Sequence, residues 1–292
     1  MSQSLSFICG MRYSGSVRRL VKALARRTLD SLGLDAIRRQ DNTYAISPRI
    51  EMGRDYLADV RSILGSGAKI IFDVGANHGQ TMLAMAATFP HAEIHSFEPD
   101  PEAFLRLAAA ASRFDSVHTH NVALGSRTGE QKLFRFAMDM TNSLLPKALG
   151  SEQFLADPHY MEEVGSTQVH VDTIDLFCAR HTIETIDLLK IDAQGFDLEV
   201  LKGARGLLDT SAIALVYTEV CFVPLYEGQP LFPDIYDFLY ERGYRLVAMY
   251  DSGRRLTHCY HPAGDVLFVH ERFGSLKKPE LRMALGPLRF FW

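Results

Sequence analysis

The chain has 292 residues, 47% hydrophobic, 10% aromatic and 23% charged, a balance that excludes disordered, collagenous and low-complexity classes. A formal net charge of −4 gives no global case for nucleic acid, but the charge is uneven: residues 1–50 hold nine basic and three acidic side chains, the remainder 22 and 32. No run approaches the ~20 apolar residues of a membrane span, so a cytoplasmic protein is expected, with Cys9, Cys178, Cys221 and Cys259 as reduced, buried thiols.

In chain order, Val17, Leu20, Val21 and Leu24 recur at helical spacing among arginines, so residues 12–40 predict a basic amphipathic helix, broken near Gly33. It reads as a packing helix with a solvated basic face; the alternative is peripheral attraction to an anionic surface, a membrane leaflet or a phosphate-bearing substrate carrier. From Lys69 strands alternate with helices. Strands are expected at Lys69–Val74, Ala92–Phe97, Ser116–Val122, Glu130–Phe136, Gln168–Val171, Ile186–Ile191, Ala212–Thr218, Tyr244–Met249 and Asp265–Val269. Helices are expected at Gln80–Phe89, Pro101–Ser112, 172–181, Phe196–Leu207 and Phe232–Arg242, and an irregular stretch over 137–166 reads as a functional lid. Short apolar strands alternating with helices mean a parallel sheet covered on both faces, whose ligands sit beyond the carboxyl ends of the strands.

The residues after those strands carry the chemistry. Asp73-Val74-Gly75-Ala76-Asn77-His78-Gly79 turns from strand to helix with G-x-x-x-G spacing, unlike the G-x-G-x-x-G cradle of a dinucleotide. Gly75 permits a tight turn, Gly79 a close approach to a ligand, and an acid at Asp73 suits a cationic amino acid moiety better than a pyrophosphate. Glu98, 19 residues beyond Gly79, is placed to accept from both hydroxyls of a ribose, and Pro99 follows it. Asn121, Val122 and Ala123 would line an adenine pocket. Together these residues describe a site for S-adenosylmethionine better than one for NAD. His78 is read as a loop histidine without a role.

Six segments then make a specific pattern: DVGANHG at 73–79, FEPDP at 97–101, NVALG at 121–125, VDTID at 171–175, LLKIDAQGFDLEVLKGA at 188–204 and YTEV at 217–220. In their order and spacing over roughly residues 69–270 the chain resembles the FkbM-type methyltransferases. The resemblance implies a class I (Rossmann-like) α/β fold: a seven-stranded, mostly parallel sheet with helices on both faces. It also implies S-adenosylmethionine as cofactor and methylation of a hydroxyl on a glycan, glycolipid precursor or natural product. Domains are expected at 1–65 (a basic helical extension), 66–272 (the methyltransferase domain) and 273–292 (a tail). Family members usually carry Glu where this chain has Gln194, which removes a charge. Asn142-Ser143 matches a short polar motif that the family places near its active site.

An aliphatic hydroxyl has a pKa near water's ~15.7, so transfer at neutral pH needs a positioned base or a Lewis acid. Asp192, at the end of the fourth parallel strand, is the expected base, and Glu219, past the fifth, the expected second carboxylate facing the same crevice. A Mg²⁺ ion held by Asp192 and Glu219 is the alternative that Gln194 weakens. Asp187, at the start of its strand, and Lys190 are read as structural, the lysine packing or pairing against a helix. Tyr217, Phe222, Tyr226, Met138 and Met140 are read as acceptor pocket or core. A nicotinamide-dependent oxidoreductase and a non-catalytic scaffold tethered by residues 12–40 stand as the other readings.

Overall fold

The chain divides into two units, Met1–Glu51 with Lys277–Trp292, and Met52–Leu276. The computed structural model describes residues 52–65, 67–250 and 262–274, with short backbone pieces at 27–29, 31, 34–38 and 44–48. In the smaller unit Leu34–Arg38 and Tyr44–Pro48 pair antiparallel, with Ala36 opposite Ile46. That corrects the end of the helix expected over 12–40. Past Gly33 the backbone of 34–38 takes its hydrogen bonds from a paired strand instead of from its own turns. Residues 12–26 of that helix lie outside the described residues, as do Cys9, Cys259 and most of the expected tail.

The larger unit begins with helix α1 (Tyr56–Leu64), capped by Asp55, whose side chain accepts from the Leu57 and Ala58 N–H groups. Val60 and Ile63 of α1, inside the span 1–65 expected as an extension, are buried in the core of this unit. Then come β1 (Ile70–Val74), α2 (Gln80–Thr88), β2 (Glu93–Phe97), α3 (Pro101–Ala111) and β3 (Val117–His120). Asp100 caps α3, and Pro101 in its first turn brings φ pre-set for a helix. After β4 (Ala123–Leu124), β5 (Gly129–Phe136) and β6 (Glu163–Asp172) follow α4 (Ile174–His181), β7 (Ile186–Ile191), α5 (Asp197–Gly203), α6 (Arg205–Asp209) and β8 (Ile213–Cys221). The unit closes with α7 (Phe232–Tyr240), β9 (Tyr244–Tyr250) and β10 (Ala263–His270).

Seven strands form one sheet in the order β9-β10-β8-β7-β1-β2-β3; β10 runs antiparallel to both neighbours and the other pairings are parallel. This is the class I arrangement. Strand order reverses between β1 and β7, which places a crevice at their carboxyl ends. Successive residues of the central strands serve opposite faces: Ile71 and Leu188 join one buried cluster with Met82, Met85 and Leu107, while Phe72 and Leu189 join another with Phe97, Phe177 and Phe268. Both faces are covered, which is why these strands read as unbroken apolar runs.

A smaller sheet, β4-β6-β5, stands beside this frame. Strand β6 starts at Glu163, five residues before the expected Gln168, because its first half pairs with β5 while its side chains stay largely solvated, leaving no apolar alternation to detect. The rest of the stretch over 137–166 holds three short 3₁₀ turns, Asp139–Thr141, Ser151–Phe154 and Pro158–Met161. The helix expected over 196–207 is two helices, α5 and α6, meeting at Ala204. Gly203 there packs against backbone; a Cβ would lie 2.0 Å from the Gly125 carbonyl oxygen. Cys178 and Cys221 are buried and not disulfide-bonded, and burial pushes the Cys178 thiol up to about 12.

Candidate active site

The crevice is built by three turns that fold over the ends of β1, β2 and β7. Gly75 and Ala76 both donate backbone N–H groups to the Phe97 carbonyl at 3.0 Å, and Asp192 N–H donates to the Val74 carbonyl at 3.0 Å. Gly75 has φ +73, and a Cβ there would sit 1.9 Å from the Asp192 carbonyl oxygen, so only glycine lets the first and fourth strand ends meet this closely. Glu98 is 7% exposed; its Oε2 accepts from Asn77 N–H and its Oε1 from Asp100 N–H, each at 2.8 Å. Burial outweighs those two donors and pushes its carboxyl up to about 7.

Of the residues expected to hold the cofactor, Gly75, Ala76, Asn77, Glu98, Pro99, Val122 and Ala123 line one cleft of about 270 Å³. Three do not. Gly79 packs inward instead, since a Cβ on it would press on Leu107 and Met82 at 3.1 Å. Asn121 is a brace; its Nδ2 donates to the Glu98 and Pro99 carbonyls at 2.8 and 3.1 Å. Asp73 is fully buried behind the cleft, opposite Lys190 in the β1–β7 register, with Nζ 3.0 Å from Oδ1. Lys190 lines the cleft, also donates to the Gly75 carbonyl at 3.2 Å, and lies 4.0 Å from Asp192 Oδ2. Burial alone would lower the lysine's pKa, but Asp73 and then Asp192 outweigh it and the net shift is upward. Asp73 is therefore paired with a lysine within the sheet, and its reading as an acid that meets a cationic ligand moiety is corrected. Asp187 is structural, accepting from Lys69 and Ile70 N–H at 2.7 and 3.0 Å.

The expected catalytic pair meets through a residue between them. Gln194 (φ +49) donates from Nε2 to Asp192 Oδ1 at 2.7 Å and to Glu219 Oε2 at 3.0 Å. Its Oε1 accepts from the Tyr226 hydroxyl at 2.9 Å, and its carbonyl from Ser143 Oγ at 2.7 Å. Asp192 is 40% exposed and lines the cleft with Gln194, whereas Glu219 is buried and set back from it. The expectation that both acids face the crevice thus holds for Asp192 alone. Asp197 supports the turn from beneath, accepting from Ala193 and Gly195 N–H and from Thr218 Oγ1; burial, and then Asp192, push its carboxyl up to about 7. Among the described residues no group of three or more His, Cys, Asp or Glu is arranged to hold a metal ion.

The segment after β5 covers the same cleft. Asp139, Met140, Asn142, Ser143 and Leu144 line it, and Asn142 is tied down by accepting from Phe136 N–H at 2.8 Å and donating to Asp100 Oδ2 at 3.2 Å. His78 has the partner that sequence reasoning missed: its Nε2 lies 2.9 Å from Asp139 Oδ2, joining the first turn to the covering segment. Tyr217 lies outside the cleft, stacked at 3.9 Å on Tyr56 of α1, and Phe222 packs on Phe232. Lys190 carried a usable signal, a charge inside the apolar run LLKI, which a buried strand tolerates only when paired.

A family profile described as "Methyltransferase FkbM domain" matches residues 73–246, more than half of the chain. Among curated proteins the chain is similar to 2-O-methyltransferase NoeI of Sinorhizobium fredii, 28% identical over 66% of this chain and 79% of that protein. It is also similar to Methyltransferase 1 of Beauveria bassiana, 27% identical over 46% of this chain and 57% of that one. Among solved structures it is similar to a TehB-like SAM-dependent methyltransferase from Corynebacterium glutamicum, with 12% identity, coverage of 88% and 100%, and a TM-score of 0.38. The matched region begins at Asp73, the start of the first turn of the cleft, and runs through Glu98, Asp192 and Glu219, and on this match the chain belongs to the FkbM methyltransferase family, whose methyl donor is S-adenosylmethionine.

Proposed function

We propose that the chain is an O-methyltransferase acting on a hydroxyl of a glycan, glycolipid precursor or natural product, with Asp192 as proton acceptor and Glu98 as the ribose-binding acid. One observation carries this reading: Asp192, the cleft-lining carboxylate at the switch point, opens onto the same cleft as Glu98. The "2-O" specificity in the name of the Sinorhizobium relative supports a hydroxyl acceptor.

The residues present fit the cofactor. Glu98 is a buried carboxylate short of donors, the complement of a ribose diol, and Val122 and Ala123 give an apolar flank for a base. S-adenosylmethionine supplies an already activated methyl group when bound. The protein's own work is alignment and proton removal. Ionising an alcohol fully at neutral pH would cost about 12 kcal/mol at 1.36 kcal/mol per pH unit, so Asp192 takes the proton as the oxygen becomes alkylated, not before.

The test combines calorimetric titration with S-adenosylhomocysteine and transfer of labelled methyl to a panel of methyl glycosides, for wild type and Asp192→Asn. S-adenosylhomocysteine is expected to bind both proteins equally, with turnover lost at least about a hundredfold in the variant. Equal turnover by the two proteins removes Asp192 as the base, and binding of NAD in place of S-adenosylhomocysteine removes the whole reading.

A further inference from the structure

Two carboxylates aimed at one point need something positive between them: a proton, a metal ion or a hydrogen-bond donor. Asp192 Oδ1 and Glu219 Oε2 both approach a single atom, Nε2 of Gln194, at 2.7 and 3.0 Å. An amide nitrogen carries two hydrogens, one for each. The amide's orientation follows from those two carboxylates, which accept and do not donate; its Oε1 is then turned to the Tyr226 hydroxyl at 2.9 Å, whose single hydrogen is shared with the Thr141 carbonyl, also at 2.9 Å. Reversing the amide would turn a carbonyl oxygen onto two carboxylate oxygens. Tyr226 cannot drift away, because it is 2% exposed and its ring lies against Gly195, where a Cβ would meet it at 2.9 Å. The Gln194 backbone is held too, by Ser143 Oγ on its carbonyl. The side chain is thus fixed at its oxygen, its nitrogen and its root.

We propose that Gln194 is a positioning residue: its amide, anchored by Tyr226, holds Asp192 toward the cleft and bridges it to Glu219, the part a divalent cation would otherwise take. This rests on the reading of Asp192 as the base. It predicts that exchanging the amide for a carboxylate, which sets a third acid where the shared donor stood, creates a cation site.

The experiment measures Mn²⁺ binding to the full chain, read as loss of the free-ion electron paramagnetic resonance signal. It needs no methyl transfer, so its result and that of the glycoside assay are decided separately. Wild type is expected to show no site tighter than about 1 mM, Gln194→Glu to bind one Mn²⁺ about tenfold tighter or more, and Gln194→Glu with Asp192→Asn to lose it again. In ¹⁵N spectra the Gln194 side-chain amide, assigned by its absence in Gln194→Met, is expected to exchange slowly with solvent and to shift in both Asp192→Asn and Tyr226→Phe. Stoichiometric Mn²⁺ binding by wild type that Asp192→Asn abolishes overturns the proposal. So does a folded Gln194→Glu that gains no affinity, or a Gln194 amide exchanging at solvent rate. Should Gln194→Glu not fold, the wild-type titration and the amide exchange decide alone.

Discussion

Glu98 offers the sharpest quantitative handle on the cleft. Burial lifts its carboxyl from the ordinary 4.5 to about 7, so the ionised form is destabilised by about 3 kcal/mol at 1.36 kcal/mol per unit. Accepting from both ribose hydroxyls takes both carboxylate oxygens, so binding favours the ionised form and draws Glu98 into it. At pH 8 the acid is already ionised; at pH 6, one unit below its pKa, roughly one molecule in ten is. The dissociation constant for S-adenosylhomocysteine is thus expected to rise about tenfold from pH 8 to pH 6. Binding at pH 7 is expected to release about half a proton, visible by calorimetry in buffers of different ionisation enthalpy. Glu98→Gln sets an NH₂ group against the Asn77 or Asp100 backbone N–H, a loss of about 1–3 kcal/mol, and removes the pH dependence. Asp197 is also raised to about 7, and the variant separates the two acids because it leaves Asp197 in place. An affinity constant in wild type between pH 6 and 8, or a slope that survives in Glu98→Gln, would show that Glu98 does not receive the ligand.

Two further outcomes follow from other parts of the molecule. His95 and His120, 3.2 Å apart between ring nitrogens, are both lowered to about 4, by burial first and then by neighbouring histidines. Their folded pKa values lie below the ordinary 6.5, so their contribution to stability is whole above pH 6.5 and drains away as pH falls toward 4. The 4%-exposed His95 alone accounts for at most about 3 kcal/mol, and denaturant melts of His95→Phe are expected to be flatter over that range than those of wild type. Asp139→Ala releases the His78 contact that ties the covering segment to the first turn; stopped-flow release of S-adenosylhomocysteine is expected to speed up several-fold, with the unfolding midpoint unchanged.

How far these features were legible depends on whether they are local in sequence. Strands β1, β2, β7 and β8 announce themselves as apolar runs closed by Gly, Pro or acidic residues, and that is enough to locate Gly75, Glu98 and Asp192 at strand ends. Register is not local. That Asp73 faces Lys190 depends on how strands 117 positions apart align, and spacing along either strand carries no trace of it. The same holds for Asn121, which looks like a ligand donor by position and becomes a brace because the Glu98 and Pro99 carbonyls turn toward it. The first half of β6 escaped for a different reason: its side chains are solvated on both faces, so a paired strand has the composition of a loop. Gln194 was visible as a departure from the family pattern, but its bridging geometry needed Tyr226, 32 residues away.

The Asp73–Lys190 pair tests the electrostatics of the sheet beneath the cleft. Both side chains are at most 5% exposed, and Lys190 gains further partners in the Gly75 carbonyl and the more distant Asp192. Removing one member of such a pair leaves an uncompensated buried charge and typically costs about 3–5 kcal/mol, whereas replacing both with neutral groups of similar shape is often close to neutral. Asp73→Asn and Lys190→Met are therefore each expected to lower the free energy of unfolding by an amount in that range. The double variant is expected to lose much less than the two together. Lys190→Met should be the harsher of the two single changes, because Asp73 has no other cation among the described residues within ion-pair distance, while a lone lysine keeps Asp192 and a backbone carbonyl. Losses that simply add in the double variant would mean that the two charges are solvated independently, and the corrected role of Asp73 would then fail.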